Sequence, residues 1–338
     1  MQKLFFIPLL LFNTVLMAQV HTYDLYEGRV PIVKYNDINA QENLRQALTQ
    51  VIVQLSGEAK KPFQPMVQER LGNINSLIEN YTYQVVSETG KRMLVVHFDK
   101  TKMNNMLLEL GLPHWPSYIS PSLLGWIDVE EEFFSEHSEE AEQLKNQTLQ
   151  RGVTLFFPLF DIEDIAVLKP SDQDAKIKTA VAKIIQRYGI PHVLVGEVSK
   201  SSEAWQSQWH LYLGSEEINF HYDHLQRSIL FTEAINRTID EMVQYYATTV
   251  SSMGVEPTRE ELELLVTELP SLQEYVQIRD YLKRLPPVIA VQVFSIQRKQ
   301  AKFRVSVEGG KKALLQAISL GNVLILEQDM IFRLNKIQ

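Results

Sequence analysis

The stretch "YGIPHVLVGEVSKSSEAWQSQWHLYL", Tyr188 to Leu213, decides the fold. His192–Val198 is a near-continuous apolar run, as expected of a strand covered on both faces of its sheet. A polar turn follows, and then a strand that alternates. Trp205, Ser207, Trp209, Leu211 and Leu213 point one way, and Gln206, Gln208, His210 and Tyr212 point the other. Both tryptophans therefore sit on the apolar face and read as core. A long helix from Leu225 to about Thr249 supplies their cover through Ile229, Ile235, Ile239, Met242 and Tyr246.

Upstream of this stretch, "SLLGWIDVE" reads as a strand, "SEEAEQLKNQTLQRG" as a polar helix and "VTLFFPLFD" as a buried strand. "DAKIKTAVAKIIQRYG" is a helix with Ile177, Val181, Ile184 and Ile185 on one face. The resulting β-α-β-α-β-β order gives an α/β sandwich over residues 117–252. Residues 19–116 form an earlier α+β domain. Its first helix carries Leu44, Leu48, Val51, Ile52 and Leu55 inward, with Asn39 and Glu42 as a capping box and Gly57 as the stop. A second helix is expected over Met66 to Glu79, then a hairpin of "YTYQVVSE" and "RMLVVHFD", then a short helix through Met106 and Leu110. Residues 253–338 read βαββαβ, the ferredoxin-like order. There Ser271 and Glu274 cap a helix that stops at Pro286 and Pro287, and "NVLIL" is the final strand. The fold class is thus α/β (α+β), as about three small mixed sandwich domains.

The chain opens "MQKLFFIPLLLFNTVLMAQV". Lys3, an apolar run of about 14 residues and the small Ala18 make the pattern of a cleaved secretory signal over residues 1–18. That run is too short for a spanning helix, which needs roughly 20 apolar residues. The protein has no cysteine, which excludes disulfides, thiol nucleophiles, thiolate metal sites and a lipidated cysteine after the leader. A large cysteine-free secreted chain fits the bacterial envelope and a periplasmic location. The net charge of −8 becomes −9 when Lys3 leaves with the signal. An acidic chain without a basic stripe is a poor nucleic-acid binder, because phosphate neutralisation supplies most non-specific affinity.

Motifs that carry chemistry are few. "VEGGKKALL" resembles a phosphate loop, but Val305 stands where the first glycine belongs and Lys312 where the hydroxyl belongs, so it reads as a strand-to-helix turn. "HYDH" brings His221, Asp223 and His224 together near His210. It is read as a strand-to-helix junction with Asp223 as the N-cap rather than as a zinc site. No HExxH or GxSxG motif occurs. No catalytic residue, metal ligand or cofactor is assigned. The connector "GLPHWPSYISPSLLGW" carries Trp115, Tyr118 and Trp126, a candidate partner-binding surface because aromatics concentrate at interface hot spots. Packing between the first two domains is the other reading of those aromatics.

Read in order, "LRQALTQVIVQLSG", "YTYQV", "LVVHFD", "LGLPHW", "LLGWIDVE", "RGVTLFFPLFDIED", "RYGIPHVLVGEV" and "WQSQWHLY" resemble a family of Gram-negative secreted proteins, domain-of-unknown-function family 2066. "RGVTLFFPLFDIED" and "YGIPHVLVG" are the most specific parts. The resemblance implies a periplasmic protein and brings no activity. The central domain is also similar in element order to the amino-terminal domain of the Tol translocation protein TolB. The expected function is a non-enzymatic interaction or assembly protein of the envelope that binds another envelope protein, with no membrane span after signal removal. The alternative is an envelope-polymer hydrolase, which requires two converging carboxylates in a cleft.

Overall fold

The computed structural model describes residues 24–32, 40–65, 67, 74–86, 90–116, 119, 121–167, 174–253, 259–269, 271–297, 299–321 and 323–335. The expected signal, Asn39, Tyr118 and half of the expected Met66–Glu79 helix lie outside them. The described chain is a mixed α/β protein with three sheets.

The first sheet has the order β1-β3-β2, from β1 (Glu27–Ile32), β2 (Ile78–Val85) and β3 (Arg92–Phe98), all antiparallel. Helix α1 (Ala40–Ser56) packs on β1 and β3 and buries Leu48, Val51, Ile52 and Leu55, the face read from the sequence. Helix α2 (Lys100–Glu109) is capped by Asp99, whose side chain accepts from the Lys102 amide. Strand β2 begins at Ile78, inside the span expected to be helical, because Tyr81, Tyr83 and Val85 alternate with polar residues at the period of a strand.

The central sheet runs β5-β4-β7-β8-β9, with β6 paired to β4. Its strands are β4 (Ser122–Val129), β5 (Glu132–Phe133), β6 (Thr154–Phe156), β7 (His192–Ser201), β8 (Ala204–Leu213) and β9 (Glu216–His224). Strands β6, β4 and β7 are parallel, whereas β7, β8 and β9 form an antiparallel meander. Helices α3 (Glu139–Gln150) and α6 (Arg227–Met253) cover one face, and α5 (Asp174–Tyr188) covers the other. Three readings change here. "VTLFFPLFD" is a strand only to Phe156, because Pro158 lacks an amide donor and Phe160 turns into the left-handed region at φ 51°. A six-residue helix α4 (Ile162–Val167) follows. "HYDH" is the end of β9 and not a helix start: Ile218, Phe220 and Tyr222 alternate, α6 begins at Arg227, and His224 Nδ1 accepts the Gln226 amide at 2.9 Å. Asp223 therefore caps nothing.

The tryptophans lie where the alternation puts them. Trp209 is 1% exposed and packs with Ile235, Ile239 and Met242, while Trp205 is half-buried at the rim of the same core. Leu230 and Phe231, rather than Ile229, are the inward residues of the first turn of α6. The glycine of "VLVGEV" makes the fit possible. Gly196 pairs with Trp209 across β7 and β8, and a Cβ at Gly196 would lie 2.2 Å from the indole.

The third sheet has the order β11-β12-β10-β14-β13, from β10 (Arg259–Thr267), β11 (Val288–Gln297), β12 (Gln300–Glu308), β13 (Leu324–Gln328) and β14 (Ile331–Leu334). Helices α7 (Leu272–Arg284) and α8 (Gly310–Gly321) join it in the βαββαβ order expected, with one strand added. β14 inserts parallel to β10 and pushes β13 to the edge. Ser271 and Glu274 form the reciprocal capping box.

Replacing Trp209 with Ala is expected to cost roughly 3–5 kcal/mol, the usual loss for a large aromatic taken from a core. Gly196→Val should cost about 1–3 kcal/mol, because the indole cannot retreat without leaving its rotamer. Urea denaturation of the full chain checks both. A Trp209→Ala chain as stable as wild type would contradict the core assignment.

Candidate functional site

The residues singled out in the connector are mostly interior. Trp115 is 4% exposed, and its Nε1 donates to the Gln54 carbonyl at 2.9 Å. Its own amide donates to the Leu55 carbonyl at 2.8 Å, and its ring meets Tyr246 edge-on. Trp126 is 3% exposed, against Phe133 and Phe160 in the core under α5. Neither offers a partner-binding surface. The reason is that Trp115 closes the join between the first and central units, and that Trp126 sits on the inner face of an otherwise buried strand. Tyr118 is outside the described residues.

That join is polar as well as aromatic. Arg151 donates from Nε to the Gly57 carbonyl at 2.7 Å and from a terminal nitrogen to the Asn236 carbonyl at 3.0 Å, and it pairs with Asp240. A cleft of about 390 Å³ opens beside it, lined in part by Glu58, Lys60, Asn236, Asp240 and Gln244. The guanidinium is committed to main-chain carbonyls, so at this cleft Arg151 acts as a staple. Another join ties the first unit to the third. Lys100 Nζ reaches the Lys283 and Leu285 carbonyls at 2.9 and 3.2 Å, at the carbonyl-rich end of α7. Close by, His97 lies 3.9 Å from Asp24 and 3.4 Å from Glu27.

Among the described residues several apolar groups stay outside the cores, including Phe294 and Ile296 on the edge strand β11, and two such surfaces bear on binding. One is β2, an edge strand among the described residues, where Tyr81, Tyr83 and Val85 are 56%, 66% and 62% exposed. These three pair with Val96, Leu94 and Arg92 on β3, so they lie on the same sheet face as the core residues Leu94 and Val96. Helix α1 packs on β1 and β3, and β2 overhangs it. The other is the turn at Phe157–Asp161 together with helix α4. Leu159, Ile162 and Ile165 are exposed there, over a network in which Arg187 bonds Asp161 and Asp164 while Tyr188 Oη donates to Asp164 at 2.6 Å. Burial, with the Asp164 hydrogen bond, pushes the Tyr188 phenol up to about 12, so it stays a donor. Sequence reading identified "YTYQV" as a strand but missed its overhang, which depends on where α1 lands. Pro158 and the run "FDIED" were the available signals for the second surface.

Among the described residues no three His, Asp or Glu side chains gather as metal ligands, and no helix is long and apolar enough to cross a membrane. His210 faces Glu217 at 3.5 Å, and "VEGGKKALL" runs from β12 into α8, where the Lys311 amide donates to Glu260.

The His97 site sets a pH dependence. The Asp24 carboxylate lifts His97 above the ordinary imidazole range against the effect of burial, and Glu27 adds to the lift. A raised folded-state value gives stability that is fully present below the unfolded value of about 6.5 and is lost as pH rises through the folded value. His192, pushed down to about 4 by burial, acts in the opposite direction, its contribution rising from about pH 4 until pH passes the unfolded value of about 6.5. Wild-type Tm should therefore fall between pH 7 and pH 9, and His97→Gln should remove part of that fall. An identical decline in both chains would exclude His97 as its source.

A family model, Domain of unknown function (DUF8605), matches residues 19–116. An unknown-function domain was expected, but its number is 8605 and not 2066, and the match spans the first part of the chain rather than most of it. No curated protein matches the chain in sequence. Among solved structures, the chain is similar to the LpoB C-terminal domain from Salmonella enterica at 20% identity and a TM-score of 0.21, covering 36% of this chain and 92% of that one. It is similar to TolB from Acinetobacter baumannii at 10% identity and 0.21, covering 57% and 37%. A formyltetrahydrofolate deformylase from Burkholderia mallei aligns at 9% identity and 0.18, covering 49% and 83%. Scores this low establish neither a shared fold nor a shared function.

Proposed function

We propose that the chain is a non-enzymatic interaction protein of the bacterial envelope, working in the periplasm and binding another envelope protein by strand addition at β2. The signal-type leader and the absence of cysteine support the compartment. The observation that carries the binding role is the β2 edge. Free edges in natural sheets are usually blunted by lysine, proline, bulges or a covering element. From Asn80 to Val85, "NYTYQV" contains no charge and no proline, and the one irregularity of its pairing lies earlier, between Ile78 and Asn80. Strand addition takes affinity from main-chain hydrogen bonds along such an edge and specificity from alternate side chains. Here those side chains are Tyr81 and Tyr83, in edge-to-face contact at 6.1 Å, and Val85.

In-cell crosslinking of the full chain tests this reading. The wild type should give a discrete protein adduct in the periplasmic fraction, and Tyr81→Ser with Tyr83→Ser should reduce it at least tenfold, since interface aromatics commonly carry about 2 kcal/mol or more each. Both positions are exposed, so Tm should hold. An adduct that survives the double substitution would overturn the assignment to β2.

A further inference from the structure

We propose that the turn Leu159–Asp161 and the start of α4 as far as Ile165 form a rigid docking prong, which inserts Leu159 and Ile162 into an apolar cleft rimmed by lysine or arginine on a partner protein. Single exposed aliphatics are ordinary on protein surfaces. Here Leu159 is 70% exposed, Ile162 is 87% exposed and Ile165 adds a third, within seven residues.

The segment beneath them is held by several hydrogen bonds. The Leu159 amide donates to Tyr188 Oη at 2.9 Å, and the Phe160 amide donates to Asp164 Oδ2 at 3.0 Å. Asp161 Oδ1 accepts the amides of Glu163 and Asp164 at 3.1 and 3.0 Å. Arg187 clasps both aspartates from α5, and the Asp164 side chain is fully buried. Phe160 holds a left-handed φ of 51°, rare for an aromatic residue, and its ring stacks on Phe133 at 4.5 Å. Backbone strain of this kind persists where the surroundings enforce it, and it concentrates at functional segments. The brace points two large aliphatic side chains away from the core. Such order, set before binding, lowers the entropic cost of docking.

Charge selects the occupant. Glu163 is 81% and Asp161 43% exposed at the base of the prong, while Arg187 is 28% exposed and already engaged. Its guanidinium, hydrogen-bonded to Asp161, holds that carboxyl far below the usual range, so the rim stays anionic. An anionic lipid surface would repel it, and a basic-rimmed protein cleft complements it.

The prong rests on the reading of the chain as an interaction protein, but not on β2. A photo-crosslinking residue placed at Ile162 of the full chain in cells, with one at exposed Glu203 as control, tests it. The expected result is a protein adduct from position 162 only, whose crosslinked peptide is apolar and carries lysine or arginine. Glu163→Lys should weaken that adduct at least threefold. Tyr188→Phe, which removes the hydroxyl joining Leu159 to Asp164, should weaken it as well. No adduct at 162, an adduct to lipid or to a second copy, or one indifferent to Glu163→Lys would overturn the prong. Loss of the 162 adduct while the Tyr81-dependent adduct persists would leave the β2 reading standing, whereas loss of both would remove the interaction role itself.

Discussion

The C-terminal end of α1 does not close on itself. A helix leaves its last carbonyls without internal partners, and burying them dry is costly. Here the connector and the central unit supply the missing donors. Trp115 takes the Gln54 and Leu55 carbonyls, and Arg151 takes that of Gly57. The contact is close enough that glycine is required opposite it: a Cβ at Gly152 would lie 1.9 Å from the Gln54 carbonyl oxygen. The first and central units are therefore joined by the buried side chains of Trp115 and Arg151 donating to main-chain carbonyls, with one main-chain bond from the Trp115 amide. The Lys100 contact at the end of α7 repeats the device between the first and third units on a smaller scale. Both joins satisfy one helix terminus with a cation from another unit, in keeping with the negative potential there.

Much of the fold was legible because its elements carry strong local periods. The alternation of Trp205 to Leu213, the face of α1 and the Ser271 capping box each state their structure within a dozen residues. What escaped reading needed information from elsewhere in the chain. β1 is six residues long and finds its partner some 60 residues later, at Arg92–His97. β9 ends in polar residues that also suit a helix cap, and only its pairing with β8 decides between the two. β14 follows β13 after a two-residue turn and slips between β13 and β10, an arrangement no local pattern announces. At the candidate site the aromatics with most sequence character, Trp115 and Trp126, proved interior. The exposed Tyr81 and Tyr83 look like core in the sequence, because exposure is set by how far α1 extends over its sheet.

These features bear directly on function. A binding surface is most selective when its supports do not move. Here β2 hangs from a sheet locked to the central unit at α1, and the 159–165 segment is locked to α5 by Arg187 and Tyr188. The buried Arg151 and Asp164 are engaged by neighbouring atoms, and His192 is engaged on one side only, with Nε2 lying 2.6 Å from Tyr246 Oη and Nδ1 buried without a hydrogen-bond partner. Stability and presentation are thus separate tasks here. The interior fixes the three sheets, and the apolar groups left outside are carried on braced or paired backbone.

The central claim is that the α1 terminus joins the first two units into one cooperative body. Native-state hydrogen exchange, comparing α1 amides over Leu48–Leu55 with β8 amides over Trp205–Leu213, tests it most directly. In the wild type both sets should open with the same free energy. In Trp115→Ala the α1 set should open well before β8. Independent opening of α1 in the wild type, or a Trp115→Ala chain in which the two sets still open together, would contradict the account.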